Sequence, residues 1–246
     1  YFYTMGLRVG MDAMARFARD LGYGERSGLE LTKEAVGTVP TIAHHKRVSA
    51  EGYVRGFDLN TAIGQGEVRV TALQQALAYA AISNGGKLLK PTLLEKIVSA
   101  DGMVRAAPLV VKRKLHVSER TRRLTHEALT AVMNTPGGTA FPRRSKRMKV
   151  GGKTGTAQRR HNIKGKDWER TYEDRDDAWY VAFAPADKPE LAVAVLVEHG
   201  GHGGATAAPV AVKIAERWFE LEGKISPLVA KATRGKPQRP GRRPKH

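Results

Sequence analysis

The sequence predicts an α/β protein of the α+β type, in which an antiparallel sheet is flanked by helices. Three observations carry that prediction. The runs Val150 to Ala157, Trp179 to Ala184 and Leu191 to Glu198 read as strands, and the tight connection Ala184-Pro-Ala-Asp-Lys-Pro189 closes the last two into an antiparallel hairpin. Apolar residues three and four apart recur in four other segments, as an amphipathic helix requires. With 246 residues, 41% of them hydrophobic, the chain is long enough to bury a core.

Met5, Leu7, Met11, Met14, Phe17 and Leu21 fall at helical spacing until Gly22-Tyr-Gly24 stops the pattern, which predicts one amphipathic helix over 5–21. Glu34 to Asp58 is polar, holds Pro40 and keeps no period, which predicts a long loop. Thr71 reads as the N-cap of the apolar run Ala72 to Ile82, and Ser83-Asn-Gly-Gly86 ends it, giving a helix over 71–83. Beyond Pro91, Leu93 to Val98 is strand-like, Asp101-Gly102 has turn chemistry, and Val110 to Val117 mixes β-branched and basic residues. Ser118 caps a helix over about 119–133 that ends at Asn134-Thr-Pro-Gly-Gly138. A polar insertion, Arg159 to Asp176, separates the first two strands of the sheet. Glycines at 200, 201, 203 and 204 then lead into a helix over 207–222, with Val210, Ile214, Trp218 and Leu221 on one face.

The sequence has no cysteine, so it offers neither a disulfide framework nor a thiolate metal site. Its longest apolar runs fall well short of the roughly 20 residues that span a bilayer. Tyr1-Phe-Tyr-Thr-Met-Gly reads as a helix already under way, with no charged segment before it, and suggests a chain whose beginning is missing. The formal charge is +18. Residues 231–246 hold seven of the 42 Lys and Arg, three prolines and no acid, so the tail over 226–246 is expected to be disordered. The remainder, 35 basic against 24 acidic residues, is still basic, a surface that suits nucleic acid or an anionic membrane and cell-wall environment. The cluster Arg143-Arg-Ser-Lys-Arg-Met-Lys149 lacks the interleaved aromatics that stack bases and reads as solvated surface. His199 and His202 sit among glycines with no conveniently spaced carboxylate, so they read as turn residues rather than metal ligands.

The segment Gly151-Gly-Lys-Thr-Gly-Thr-Ala157 is the most informative in the chain. A phosphate-cradling loop would need a glycine where Arg147 stands and a helix where Gly155-Thr-Ala follows. A lysine ammonium beside a hydroxyl on a strand edge can instead hold a substrate carboxylate, while glycine lets an extended peptide approach. Lys153-Thr-Gly155 is the third motif of the serine acyltransferases that react with penicillin. Together with Ala178-Trp-Tyr-Val-Ala-Phe-Ala-Pro-Ala186, Leu191-Ala-Val-Ala-Val-Leu-Val-Glu198 and Gly200-Gly-His-Gly-Gly204, it resembles the end of class B penicillin-binding transpeptidase domains, particularly the elongation-type penicillin-binding protein 2. Gly22-Tyr-Gly-Glu-Arg-Ser-Gly-Leu-Glu-Leu31, Ile63-Gly-Gln-Gly66 with Thr71 beyond it, and Ser83-Asn-Gly-Gly-Lys-Leu-Leu-Lys-Pro91 look like the same family, so the resemblance covers about residues 1–222.

The resemblance implies a penicillin-binding fold, residues 1–225 being its C-terminal part, and a parent enzyme that cross-links peptidoglycan by D,D-transpeptidation. It implies that Lys153 shares in proton transfer and attracts the substrate carboxylate, that Thr154 hydrogen-bonds that carboxylate, that Gly155 keeps the strand edge open, and that the N–H of Thr156 is one of two oxyanion donors. No metal or other cofactor is implied. The expected ligands are peptidoglycan stem peptides, lipid-linked precursors and β-lactams; the expected partners belong to the elongation machinery. The expected location is the outer, periplasmic face of the inner membrane, held by an anchor outside this sequence. The sequence departs from the family in one respect: none of Ser27, Ser49, Ser83, Ser99, Ser118, Ser145 and Ser226 begins a Ser-x-x-Lys. The nucleophile, its lysine and the second motif are therefore expected before Tyr1, and this stretch alone is expected to be inactive. The alternatives are a non-catalytic penicillin-binding-like scaffold and a basic nucleic-acid-binding protein, for which nucleic acid is the less fitting partner.

Overall fold

A computed structural model describes residues 1–30, 33–159 and 171–226. The segment expected as one helix over 5–21 is two, α1 (Phe2–Val9) and α2 (Met11–Asp20). Gly10 breaks it with φ 78° and ψ 155°, a conformation that a residue with a Cβ avoids. Helix α2 stops as expected at Gly22, where the N–H groups of Gly22 and Tyr23 return to the carbonyls of Arg19 and Ala18.

A short helix, α3 (Ile42–Val48), stands where a long loop was expected, and a second, α4 (Gly56–Ala62), begins within its last three residues. Thr41 starts α3 by accepting the His44 N–H at 3.0 Å. Two turns carry too few residues to show a period, which is why the pattern missed them. Helix α5 (Ala72–Ser83) has the expected cap at Thr71, closed into a reciprocal box by Gln74. The buried Gln74 amide also donates to the carbonyls of Glu25 and Val36, each at 2.9 Å, and so fastens α5 to the segment after α2.

Strand β1 (Lys87–Lys90) pairs antiparallel with β4 (Val110–Lys114), and β2 (Lys96–Val98) with β3 (Val104–Ala106) across the expected Asp101-Gly102 turn. Strands this short escape a period-two reading, so β1 and β3 were not foreseen. Helix α6 (Glu119–Asn134) begins at the expected cap, Ser118 accepting the Thr121 N–H at 3.1 Å.

The expected central sheet forms from β5 (Gly151–Ala157), β6 (Asp177–Ala184) and β7 (Leu191–Val197), antiparallel in the order β5-β6-β7. Helix α7 (Ala207–Leu221) packs on it, as expected, but with a different face. Val210, Ile214 and Leu221 are 40%, 45% and 68% exposed, whereas Ala207, Ala208, Ala211, Val212, Ala215 and Phe219 are buried. The sheet meets the helix with Ala178, Ala182 and Ala184 around Tyr180, so the alanine face of α7 approaches closely and fills the core. Size misled the sequence reading, because the larger aliphatics lie on the other side.

The loop before β5 is tied down too. Arg147, expected on a solvated basic surface, turns inward to Glu220 at 2.5 Å with side chains only 16% and 9% exposed, and Ser145 donates to Glu216 at 2.6 Å. Arg143, Arg144, Lys146 and Lys149 remain exposed. The basic tail expected to be disordered, from residue 227 on, and most of the polar insertion lie outside the described residues. Among the described residues no helix is long and apolar enough to cross a membrane.

Candidate functional site on the free edge of the sheet

Among the described residues strand β5 is an edge strand, paired with β6 through Lys153↔Val181, Thr154↔Tyr180, Gly155↔Trp179 and Thr156↔Ala178. In an antiparallel ladder, alternate residues turn both N–H and C=O toward the partner strand, and those between turn both away. The Thr154 carbonyl accepts from Lys153 Nζ and the Thr156 carbonyl from Gln65 Nε2, each at 2.9 Å, so these two residues belong to the outward set. Their N–H groups face the same open side. An extended peptide could add there as a further strand, held by the N–H groups of Thr154 and Thr156, whose carbonyls Lys153 and Gln65 already engage.

All four residues expected from the sequence, Lys153, Thr154, Gly155 and Thr156, therefore lie along one accessible edge. The Lys153 residue is exposed, yet enough protein surrounds its ammonium that desolvation lowers its pKa. Among the described residues it has no carboxylate partner, and its contact is the Thr154 carbonyl. The Thr154 hydroxyl lies 2.9 Å from that of Thr139, which holds it at the strand edge. A Cβ on Gly155 would stand 3.1 Å from Trp179 Cβ, so glycine there preserves the close pairing of the two strands.

Beneath the strand end opens a cleft of about 620 Å³, walled by Gly155, Thr156, Trp179, Gln65, Tyr23 and Tyr79. Burial pushes Tyr79 up to about 12, so its hydroxyl stays protonated at neutral pH. Tyr180 is fully buried, while its neighbour Trp179 lines the cleft.

The glycine-rich loop after β7 roofs this end of the sheet. A Cβ on Gly203 would fall 2.1 Å from the Trp179 carbonyl oxygen and 2.3 Å from that of Gly155, an approach that glycine alone permits. The loop is pinned by the Asp177 carboxylate, which accepts the His199 N–H at 2.9 Å and Arg159 Nε at 2.8 Å. His199, held at φ 55°, lies with its ring 4.4 Å from that of Tyr172. Among the described residues no group of three or more His, Asp or Glu side chains is placed to hold a metal.

Gln65, Thr139 and Trp179 were not foreseen as parts of the site. Gln65 lay in the quoted Ile63-Gly-Gln-Gly66, but its partner is 91 residues away, a distance no local pattern bridges.

An open strand edge bearing Lys-Thr-Gly, set above a cleft and against an antiparallel sheet backed by a helix, is the arrangement expected of the penicillin-binding fold. A family model for the penicillin binding protein transpeptidase domain matches residues 1–216, and the chain belongs to that family. It is similar to the peptidoglycan D,D-transpeptidase MrdA of Acinetobacter baumannii, 34% identical over 232 residues that cover 93% of this chain and 34% of that protein. MrdA of Haemophilus influenzae is 32% identical over 226 residues, covering 89% of this chain and 34% of its own length. The chain thus spans about a third of the curated relatives it matches. Among solved structures, penicillin-binding protein 2 of Helicobacter pylori in complex with MreC superposes with a TM-score of 0.74 at 30% identity, covering 90% of this chain and 38% of that one. Penicillin-binding protein 2 of Pseudomonas aeruginosa, in complex with WCK 5153, gives 0.75 at 28% identity and covers 94% and 49%. The expected resemblance to penicillin-binding protein 2 and the expected α/β fold agree with these findings.

Proposed function

We propose that this chain supplies the substrate-binding edge and one oxyanion donor of a D,D-transpeptidase that cross-links peptidoglycan. The observation that carries the proposal is the outward-facing main chain of Thr154 and Thr156, flanked by the Lys153 ammonium on a strand edge that no other strand among the described residues covers. A stem peptide ending in D-Ala-D-Ala lies along that edge, its terminal carboxylate held by Lys153 and Thr154 through charge-assisted hydrogen bonds. A serine hydroxyl attacks the penultimate carbonyl and the bond to the last D-Ala breaks. The resulting acyl ester passes to an amine of a second stem peptide, which regenerates the serine.

As the acyl carbon becomes tetrahedral, charge builds on its oxygen, and the Thr156 N–H stabilises it. Lys153 shares in the proton movement between hydroxyl and leaving amine; its lowered pKa eases that transfer. None of the seven serines begins Ser-x-x-Lys, so the nucleophile and its lysine come from polypeptide beyond these 246 residues. A β-lactam imitates the terminal dipeptide and acylates the same serine. The same reading places residues 1–225 in the catalytic domain and 226–246 in an appended basic tail, on the periplasmic side of the inner membrane. Lipid-linked precursors carrying the stem peptide serve as donors. The Helicobacter pylori relative solved with MreC supports a partner of the same elongation machinery.

The test is labelling with fluorescent penicillin. The complete gene product, with whatever its reading frame encodes before Tyr1, should label covalently, and its Lys153→Ala variant should label at least about a hundredfold more slowly, the order of effect of removing one electrostatic contact at an acylation site. A folded complete product that fails to label would overturn the enzymatic reading and leave a penicillin-binding-like scaffold.

A further inference from the structure

Strand β5 ends at Ala157, so the peptide units around Thr156 are the last of an edge strand, with neighbours on one side only. Such an end frays unless something holds it. The pairing with β6 and the Arg159–Asp177 contact hold it from one side, and on the open side a side chain does so. Gln65 Nε2 donates to the Thr156 carbonyl at 2.9 Å, on the same open side as the Thr156 N–H.

Gln65 is itself fixed at its base. Its own N–H donates to the Asn60 carbonyl at 2.9 Å, at the C-terminal end of α4. Gly64 and Gly66, at φ 73° and 75°, bracket it in conformations that L-residues rarely adopt. A short bridge between Thr38 and Arg69 closes the segment behind it, with N–H to O distances of 2.7 and 3.0 Å in the two directions. The segment thus presents one amide to the strand and leaves its side chain few other directions.

We propose that Gln65 is a positioning residue for acyl transfer: by clamping the Thr156 carbonyl, it keeps the adjacent N–H aimed at the acyl oxygen. This rests on the transpeptidase reading above. An oxyanion donor works because it is oriented before charge develops, and a loose strand end would have to be ordered at that moment. Gln65 touches neither the nucleophile nor the substrate in this scheme, so ground-state binding should not depend on it. The same donor serves the tetrahedral states of acylation and deacylation, so both steps should slow together.

The test uses the complete gene product with stopped-flow fluorescent penicillin, separating the encounter Kd from the acylation rate constant, and then following hydrolysis of the acyl-enzyme. Gln65→Glu keeps the shape but puts an acceptor where the donor stood; Gln65→Leu removes both. Each should slow acylation about tenfold or more and lengthen the acyl-enzyme lifetime in similar proportion, with Kd and thermal midpoint close to wild type. This is a smaller loss than removing an oxyanion donor outright causes. If one variant misfolds, the other decides the matter. Wild-type rate constants in a folded variant would overturn the proposal, as would a loss confined to Kd or to the fraction of active protein. A wild type that never labels would instead remove the transpeptidase reading, and this inference with it.

Discussion

Lys153 sits where two demands on an amine meet. On the proposed reading it has to attract a terminal carboxylate as a cation and pass a proton as a near-neutral amine. Desolvation over the strand edge lowers its pKa from the ordinary 10.5. The sign follows directly: below that lowered value the group is charged and binds the carboxylate, and above it the attraction is lost. Penicillin affinity of the complete gene product should therefore weaken along an alkaline limb centred below pH 10.5. In Lys153→Arg, whose guanidinium stays charged, that limb should disappear. Identical alkaline limbs in wild type and variant would show that another group titrates. At this scale the four edge residues were legible because Lys-Thr-Gly compresses a charge, a hydroxyl and an open backbone into three consecutive positions. Thr139, Trp179 and Gln65 were not, because each reaches the site by tertiary packing from a segment without chemistry of its own.

Elements were legible in proportion to their length. Helices α5 and α6, with 12 and 16 residues and capping hydroxyls at Thr71 and Ser118, lie within a residue of their expected bounds. The seven-residue helix α3 lies inside the expected loop and α4, equally short, mostly beyond it where no element was expected; the break at Gly10 is hidden because apolar periodicity continues across it. Helix α7 was placed correctly but rotated in expectation, since hydrophobicity rewards valine and isoleucine while close packing on an alanine-rich sheet rewards small side chains. That docking has a polar fastening in Arg147, which joins the approach to β5 to the C-terminal turn of α7 through Glu220. Arg147→Met should destabilise the protein by about 2 kcal/mol in a denaturant titration, because it leaves a largely buried carboxylate with one fewer partner. Arg217, 3.1 Å from the other Glu220 oxygen, limits the loss. A change below about 0.5 kcal/mol would mean that the pair behaves as a surface ion pair.

Over the whole molecule, the described residues leave several apolar surfaces uncovered. The outer main-chain edge of β7 (Leu191–Val197) pairs with no other strand among them, although of its side chains only Leu196 is exposed. Tyr1, Phe2 and Tyr3 are 87%, 65% and 53% exposed, in addition to the outward face of α7. An apolar strand edge of this length is a template for pairing with other chains. The 246-residue stretch expressed alone should therefore associate or bind a hydrophobic dye such as ANS, where the complete gene product does not; a monodisperse stretch with a sharp thermal transition would contradict this. The net charge of +18 gives it no protection against such edge pairing once salt screens it.

The measurement that bears most directly on the central claim is release of D-alanine. The complete gene product, given a lipid-linked pentapeptide precursor incorporated into nascent strands, should liberate D-Ala in step with the appearance of cross-linked dimers. Lys153→Ala should do neither, while remaining folded. Release and cross-linking at wild-type rates in Lys153→Ala, or neither product from a folded wild type that receives strands, would contradict the assignment of the β5 edge as the site of acyl transfer.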